Sequence, residues 1–328
     1  MEVIPYSEKY FEQWNNFLLK AKNATFLFHR NYLEYHSDRF KDSSLLIIDN
    51  ESIMALLPCS VKDYEAVSHG GLTYGGLVIT NDARQEQVIL YFKLILEYYY
   101  NLEINALVYK PLPSFYSTSQ AFEYEYPLFL TKSVLFRLDT GSVLDLNQQI
   151  NFQERKKRAI KKASGFGLKI EEGADFKIFW TNVLSPNLWE RHQVKPVHSI
   201  EEITLLQTRF PENIVQYNVL DNEEVIAGTT LYITETTVHA QYISANGVGK
   251  EKGALDYLFD AIITKFKMNK RYLSFGVSTE DQGRTFNSGL TEWKEGFGAR
   301  AWNNYFYKIP TSNHILLDKY LKATNIRN

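Results

Sequence analysis

The order of predicted helices and strands repeats along this chain of 328 residues. Each half contains helices, a set of strands joined by short turns, one long amphipathic helix and a further strand. The long helix is predicted over 83–101 in the first half and over 253–268 in the second. Antiparallel strands followed by a crossover helix and a return strand are typical of a mixed sheet covered by helices. The sequence therefore predicts an α/β protein with a mixed α+β sheet in each half.

Local signals support this order. Asp49-Asn50-Glu51 separates two apolar runs and predicts a hairpin, since Asp and Asn tolerate the left-handed turn conformation. Ser199 and Glu202 form a capping-box pattern before a helix over 200–209. A short stretch rich in Asp, Gly and Ser over 139–146 predicts the joint between the halves. Because the chain is longer than most single domains, we expect domains at 1–140 and 141–328.

Composition excludes several classes of protein. The formal net charge of -2 gives no global attraction to DNA or to an anionic membrane. A single cysteine excludes an internal disulfide framework and a thiolate zinc cluster, and the histidine spacing supports no metal site. The first residues lack the features of a signal peptide, and the most apolar helical stretch, 88–100, is interrupted by Lys93 and Glu97. We therefore expect a cytoplasmic protein without membrane insertion.

Three segments carry a resemblance to a known family. The basic stretch 152–163 reads Phe-Gln-Glu-Arg-Lys-Lys-Arg-Ala-Ile-Lys-Lys-Ala and is followed by a glycine. Residues 293–299 read Trp-Lys-Glu-Gly-Phe-Gly-Ala, and residues 26–33 read Phe-Leu-Phe-His-Arg-Asn-Tyr-Leu. In this order along the chain, the segments resemble motifs of the Fem-type acyltransferases, which belong to the GNAT superfamily.

The resemblance implies two tandem GNAT-like domains, with the acceptor on the side of domain 1–140 and the donor bound by domain 141–328. Members of the family transfer aminoacyl groups from transfer RNA to peptidoglycan precursors, or acyl groups from coenzyme A to amines. The sequence lacks the long helical-hairpin insertion that several transfer-RNA-dependent ligases carry. We therefore expect acyl-CoA as co-substrate and no permanently bound cofactor.

A glycine-rich turn precedes the predicted helix over 253–268. Free backbone N–H groups and the positive end of the helix dipole at such a turn suit a pyrophosphate. The resemblance implies that Gly249, Lys250, Gly253 and Ala254 hold the coenzyme A pyrophosphate, although Leu255 stands where the GNAT pattern has a small residue. A turn with a purely structural role is the alternative.

The basic stretch supplies candidates for an anionic part of either substrate. Six cations occupy eight positions, and on a helix Arg155 and Arg158 share one stripe. We predict that Arg155, Arg158 and Lys294 converge on a cleft between the halves and hold this anionic part. A solvated helix face is the alternative, and RNA binding lacks the interleaved aromatic residues of a stacking surface.

Acyl transfer to an amine requires a deprotonated amine, stabilisation of the oxyanion and close placement of both substrates. The candidate bases are His239, Glu295, His192 and His198. Lys294, which lies in the family-like segment, is the catalytic candidate for holding a phosphate or stabilising developing negative charge. His239 shares one face of a predicted strand with Gln241, and Tyr242 lies on the other face. Structural roles for the histidine and the lysine are the alternatives.

Further candidates for substrate binding lie in polar loops and on the strand that carries His239. They are His192, Tyr242, His69 and Tyr74. The expected function is N-acyl transfer from acyl-CoA to the amine of a small molecule or of a cell-envelope precursor. A Fem-type ligase that uses aminoacyl-transfer RNA is one alternative, and a non-catalytic GNAT-like binding protein is another.

Overall fold

The computed structural model describes residues 1–322. The helices and strands of the first part of the chain, in sequence order, are β1 (Glu2–Pro5), α1 (Phe11–Leu18), α2 (Arg30–Leu33), β2 (Lys41–Asp42), β3 (Leu45–Asp49), β4 (Ser52–Leu57), β5 (Ser60–Lys62), β6 (Glu65–Val67), β7 (Val78–Ile79), α3 (Gln85–Asn101), β8 (Ala106–Tyr109), α4 (Glu125–Leu130) and β9 (Val134–Asp145).

The helices and strands that follow are α5 (Glu154–Ser164), β10 (Lys169–Glu172), α6 (Phe176–Phe179), α7 (Ser185–His192), α8 (Ile200–Arg209), β11 (Ile214–Asp221), β12 (Glu224–Ile233), β13 (Thr237–Ala245), α9 (Gly247–Lys252), α10 (Ala254–Phe266), β14 (Tyr272–Val277), β15 (Thr279–Glu280), β16 (Thr285–Phe286), α11 (Ser288–Glu295), β17 (Arg300–Pro310) and α12 (Asp318–Lys322). A turn of π-helix, Trp180–Leu184, joins α6 to α7.

Two compact units divide the chain. Unit 1 comprises Met1–Asp139 together with the residues from Asn303 onward, and unit 2 comprises Thr140–Trp302. The division at Asp139 falls inside β9. Most of the Asp/Gly/Ser stretch over 139–146, predicted as the joint between the halves, is extended strand, because Gly141 pairs with Val277 and Val143 with Ser274.

Unit 1 contains two groups of paired strands. One has the order β1-β3-β4-β7, and in the other the neighbours run β17-β8-β6-β5-β2. The hairpin predicted at Asp49-Asn50-Glu51 joins β3 to β4, with Asn50 and Glu51 at positive φ. The apolar face of α3 packs in the core of this unit, and α3 connects the parallel strands β6 and β8.

Unit 2 is built on strands in the order β10-β11-β12-β13-β14-β9. β10 to β13 pair antiparallel in sequence order, and β14 then pairs parallel to β13 after the crossover helix α10. The buried side of α10, including Leu258, Phe259 and Ile262, packs against the apolar side of this sheet. The predicted α/β class with mixed sheets is confirmed, and Ser199 and Glu202 form the expected capping box at α8.

Within residues 1–322, every helix is too short or too polar to cross a bilayer.

Candidate functional site

The parallel strands β13 and β14 of unit 2 pair only near their beginnings. Thr237 to His239 of β13 lie beside Tyr272 to Ser274 of β14, and His239 and Ser274 form the last pair. Beyond this point β13 continues to Ala245 beside β12, whereas β14 pairs on its other side with β9. We call the diverging ends of β13 and β14 the fork. An unpaired strand edge at a fork offers backbone N–H and C=O groups to a ligand.

The last paired residues of the fork form a small hydrogen-bonded cluster. His239 Nδ1 lies 3.0 Å from Ser274 Oγ, which also accepts a hydrogen bond of 3.3 Å from the Gly276 N–H. Gly276 adopts φ +71°, and a Cβ atom there would lie 3.4 Å from the His239 ring. Burial, and next the charge of Lys294, lower the pKa of His239 to about 4, so the imidazole is neutral at pH 7.

Lys294 lies beneath this cluster with only 1% of its surface exposed. Its ammonium donates to Gly276 O at 2.9 Å, Val277 O at 2.7 Å and Ser278 Oγ at 2.8 Å. These contacts use the three N–H donors of the group. Desolvation lowers the pKa of Lys294 to about 7. The side chain thus holds the end of β14 in place from α11.

An asparagine and two glycines determine the conformation of the segment between β13 and α10. Asn246 caps α9 by accepting a hydrogen bond of 2.9 Å from the Gly249 N–H. Gly249 lies against β12, where a Cβ atom would stand 2.3 Å from Ile226 O. Gly253 has φ +68°, ends α9 and begins α10 without a side-chain cap. The chain therefore turns sharply at Gly253, and the N–H groups of the first turn of α10 have no partner within the helix.

A cleft of about 640 Å³ lies beside this segment. Its lining comes from the end of β13, the segment between α9 and α10, α7 and the region of α11: Asn187, Leu188, Arg191, Ile243, Ser244, Ala245, Gly249, Lys250, Gly253, Leu255, Asp256, Glu280, Asn287, Gly289, Leu290 and Trp293. Lys250 Nζ donates to Asn187 Oδ1 at 3.0 Å, and Asn187 Nδ2 donates to Ser244 Oγ at 3.1 Å. Two exposed cations, Lys250 and Arg191, thus border the cleft beside the start of α10.

An ion pair fixes the floor of the cleft. Lys156 of α5, only 4% exposed, donates to Asp256 Oδ1 at 2.5 Å, and the Trp293 indole N–H donates to the same oxygen at 2.8 Å. Lys156 Nζ also lies 4.7 Å from the centre of the Trp293 ring and 4.4 Å from that of Phe297. Desolvation is the largest effect on Lys156 and lowers its pKa. One lysine therefore ties α5, the first turn of α10 and α11 together.

The predicted cationic candidates of α5 face solvent. Arg155 donates to the carbonyl and to the carboxylate of Glu292 and to Gln153 Oε1. Arg158 is exposed. Their convergence with Lys294 on a substrate stays a prediction. Lys156, which was not singled out within the basic cluster, is the buried one of the set.

The other candidates of unit 2 occupy different places. Tyr242 is buried against Trp180, and its hydroxyl lies 2.6 Å from His198 Nδ1. Glu295 is half-buried at the end of α11. His192 ends α7, and its side chain lies outside the described part of the structure.

His69 and Tyr74 belong to unit 1 and are each 3% exposed. The Tyr74 hydroxyl lies 2.9 Å from Thr25 Oγ1. Lys110 donates to His69 O at 2.6 Å and to Leu72 O at 2.5 Å, so the glycine-rich loop after β6 wraps around a buried ammonium. Desolvation lowers the pKa of Lys110 to about 7 and that of His69 to about 2.

Of the predicted residues, the structure brings Gly249, Lys250 and Gly253 together at the cleft, and it places His239 and Lys294 at the base of the fork. Sequence reasoning missed Arg191, Asn187, Asp256 and Trp293 as cleft residues. Asp256 carried one signal, since it is an acidic residue in the first turn of the strongest predicted helix. Its partner Lys156 lies 100 residues away, and no local sequence signal connects the two.

No protein-family model matches the sequence, and no curated protein matches it by sequence. Solved structures do match. The structure of FemX has 10% identical residues and a TM-score of 0.67, with 95% of this chain and 98% of that chain covered. L-PGS from Bacillus licheniformis has 13% identity and a TM-score of 0.61, with 94% and 96% covered. A tandem GNAT protein from the clavulanic acid biosynthesis pathway has 11% identity and a TM-score of 0.54, with 94% and 98% covered. The chain therefore has the fold of the Fem-like and tandem GNAT proteins.

Proposed function

We propose that this protein is an N-acyltransferase that binds an acyl thioester of coenzyme A at the fork of unit 2. The observation that carries the proposal is the cleft beside Gly253. At this cleft the 13-residue helix α10 begins after a turn at positive φ, next to the fork between β13 and β14. A pyrophosphate suits the uncapped start of a helix, and an extended amide-bearing arm suits an open strand edge. The likeness to FemX and to a tandem GNAT protein supports the same class of reaction.

The reaction requires few groups from the protein. The amine nitrogen of the acceptor bonds to the thioester carbonyl carbon, the C–S bond breaks, and the thiol leaves with the proton that the amine loses. Lowering the barrier depends on holding both substrates close and on hydrogen bonds to the carbonyl oxygen as its negative charge grows. Lys294 contributes by fixing the end of β14 through Gly276 and Val277.

Binding of acetyl-CoA tests the proposal directly. Lys250→Ala and Arg191→Ala should each weaken binding about tenfold, because a charge-assisted contact to phosphate contributes about 1.5–3 kcal/mol and about 1.4 kcal/mol corresponds to tenfold. Lys177→Ala removes the same charge from an exposed site on α6 outside the cleft and should bind normally. Isothermal titration calorimetry measures all three. Equal affinities, or no binding to the wild-type protein, would contradict the proposal.

A second candidate is aminoacyl transfer from transfer RNA, in which an ester C–O bond breaks instead of the thioester bond. The exposed cations Lys157, Arg158, Lys161 and Lys162 of α5 favour it, as does the likeness to FemX. Reversing Arg158 and Lys161 to Glu should then weaken binding of aminoacyl-transfer RNA strongly and make it less salt-dependent. The same variant should keep its affinity for acetyl-CoA if the thioester is the donor.

A non-catalytic role is the third outcome of these measurements. Binding of a donor without release of thiol or transfer RNA, over a panel of amines that includes glucosamine and L-alanine, would indicate a binding protein. Release of thiol or of transfer RNA that requires the amine would establish acyl transfer.

A further inference from the structure

Charges of both signs line the cleft of unit 2. Lys250 of α9 and Arg191 of α7 are its cations, and Asp256 and Glu280 are its carboxylates. Asp256 is already paired with Lys156. Within residues 1–322, neither of the two cleft cations forms an ion pair with a carboxylate, and Glu280 forms none with a cation. The cleft therefore offers a ligand two positive groups and one negative group that the protein itself does not neutralise.

Asn287 fixes the position of the Glu280 carboxylate. Its Oδ1 accepts a hydrogen bond of 3.0 Å from the Leu290 N–H and so caps α11, which leaves its Nδ2 to donate to Glu280 Oε1 at 3.2 Å. The two ends of the amide thus have separate partners, and the cap sets the direction of the bond to Glu280. Because Glu280 is exposed, its second oxygen can accept from a ligand in the cleft.

The hairpin of β15 and β16 carries Glu280 from the fork into the cleft. β14 ends at Val277, and β15 follows after one residue. Lys294 holds this junction through three hydrogen bonds. Glu280 pairs with Thr285 of β16, and the three residues 281–283 all adopt positive φ, so the chain reverses sharply. The carboxylate is therefore presented from the β14 side of the fork by an anchored hairpin.

We propose that Glu280 binds the acceptor as a primary amine in its ammonium form, while Lys250 and Arg191 hold the phosphates of the donor in the same cleft. The inference rests on the proposed function and names the chemical class of its acceptor. A hydrogen bond between a carboxylate and an ammonium is stronger than one between neutral groups. An ammonium is repelled by the two cations and a phosphate by Glu280, so each substrate is directed to its own part of the lining.

The ammonium loses two protons before the amide is complete. The first moves to the Glu280 carboxylate, which acts as a general base, and then passes to water because Glu280 is exposed. The amine nitrogen then bonds to the thioester carbonyl carbon. As the C–S bond breaks, the second proton leaves with the thiol. The products are the amide, the coenzyme A thiol and one proton in water, and Glu280 is ionised again.

Glu280→Gln tests the contact, because it keeps the shape of the side chain and removes its charge. With acetyl-CoA and an amine of the panel that releases thiol, KM for the amine should rise about tenfold, whereas Kd for acetyl-CoA should change little. Asp281→Asn removes the neighbouring charge, which lies outside the cleft lining at a positive φ that Asn tolerates, and should leave both values unchanged. An unchanged KM in Glu280→Gln, or an equal rise in both variants, would overturn the proposal.

A binding measurement removes the dependence on turnover. n-Propylamine, a cation at pH 7, and 1-propanol, a neutral molecule of similar shape, are titrated into ¹⁵N-labelled protein saturated with coenzyme A. The cation should shift the backbone resonances of residues 279–282 until they saturate, and 1-propanol should not. Glu280→Gln should abolish the shift. Similar responses of the wild-type protein and the variant to n-propylamine would refute the contact.

Calorimetry with the donor distinguishes a failure of this inference from a failure of the proposed function. If acetyl-CoA does not bind to the wild-type protein, the proposed function is wrong and the inference is wrong with it. Normal donor binding, together with a Glu280→Gln variant that behaves as the wild-type protein, would overturn the inference alone. A loss confined to the affinity for glycyl-CoA, whose acyl group carries the ammonium, would assign Glu280 to the donor and also overturn it.

Discussion

The Lys156 ammonium donates to the Asp256 carboxylate at 2.5 Å, and it joins two helices whose residues lie 100 positions apart. The same carboxylate oxygen accepts from the Trp293 indole. Of the two rings next to Lys156 Nζ, Trp293 lies in α11 and Phe297 follows it. Asp256 and Trp293 line the cleft of unit 2. The shape of the cleft therefore depends on a charged pair whose lysine is buried and whose carboxylate borders the cleft.

Removing one member of this pair should destabilise the protein strongly. Lys156→Met leaves Asp256 without its counter-charge, and breaking a buried pair in this way costs about 3–5 kcal/mol. Urea denaturation followed by circular dichroism measures the free energy of unfolding. Lys157→Met changes the neighbouring lysine, which is exposed and pairs with Glu154 at the surface, and should have little effect. Similar losses in both variants would show that the buried pair is unimportant.

Gly253 should be required for its backbone conformation and not for space. A Cβ atom there would meet nothing closer than 3.7 Å, yet φ is +68°. Gly253→Ala should therefore cost about 1–2 kcal/mol of stability, and Gly253→Asn should lose less because Asn tolerates the left-handed region. Thermal and urea unfolding of the two variants check the order. Gly247→Ala, where a Cβ atom meets nothing within 4 Å, is the matched control.

Gly249 presents the opposite case. Its φ is not positive, but an added Cβ atom would stand 2.3 Å from Ile226 O, which is backbone and cannot move aside cheaply. Gly249→Ala should push α9 away from β12 and disturb the cleft, with a larger loss of stability than Gly253→Ala. Hydrogen exchange should then accelerate in α9 and at the end of β13. A variant as stable as the wild-type protein would show that α9 can shift without cost.

The elements that local rules govern could be predicted from the sequence. The capping box at Ser199 and the turn at Asn50 formed as expected, since each depends on a few neighbouring residues. The long helix α3 covers Gln85–Asn101, close to the predicted 83–101, because a buried stripe at helical spacing determines it. The stretch over 139–146 contains turn-forming residues, yet its pairing with β14 overrides that local preference.

The candidate site was predictable only in part. The glycine-rich segment before α10 carries a local signal, so Gly249, Lys250 and Gly253 were found. The environment of Lys294 carries no such signal, because its acceptors are two carbonyl groups of β14 and the hydroxyl of the following Ser278, which the fold alone brings near. The same holds for Ser274 and His239, which lie 35 residues apart and meet as the last pair of a parallel ladder.

The free energy of unfolding should increase with pH, and part of the increase should come from the titration of Lys294. Burial lowers the pKa of Lys294 from 10.5 to about 7 in the folded protein. Between these values the unfolded chain binds a proton that the folded chain does not, so the free energy of unfolding increases as the pH rises. Below about pH 7 both states are protonated, and the full penalty of burying the charge applies. Lys110 of unit 1 contributes in the same sense, so a variant comparison is needed to isolate Lys294.

Lys294→Met removes the titrating group and Lys294→Arg keeps its charge throughout this range. Both variants lose the pH-dependent contribution of Lys294 to the free energy of unfolding. Lys294→Met also leaves the carbonyls of Gly276 and Val277 without their donor. The difference in unfolding free energy between the wild-type protein and Lys294→Arg should therefore widen from about pH 7 to about pH 9, below the range in which tyrosines titrate. Urea titrations at intermediate pH values measure this difference. A difference that stays constant over the range would mean that the buried ammonium keeps its proton, held by its three hydrogen bonds.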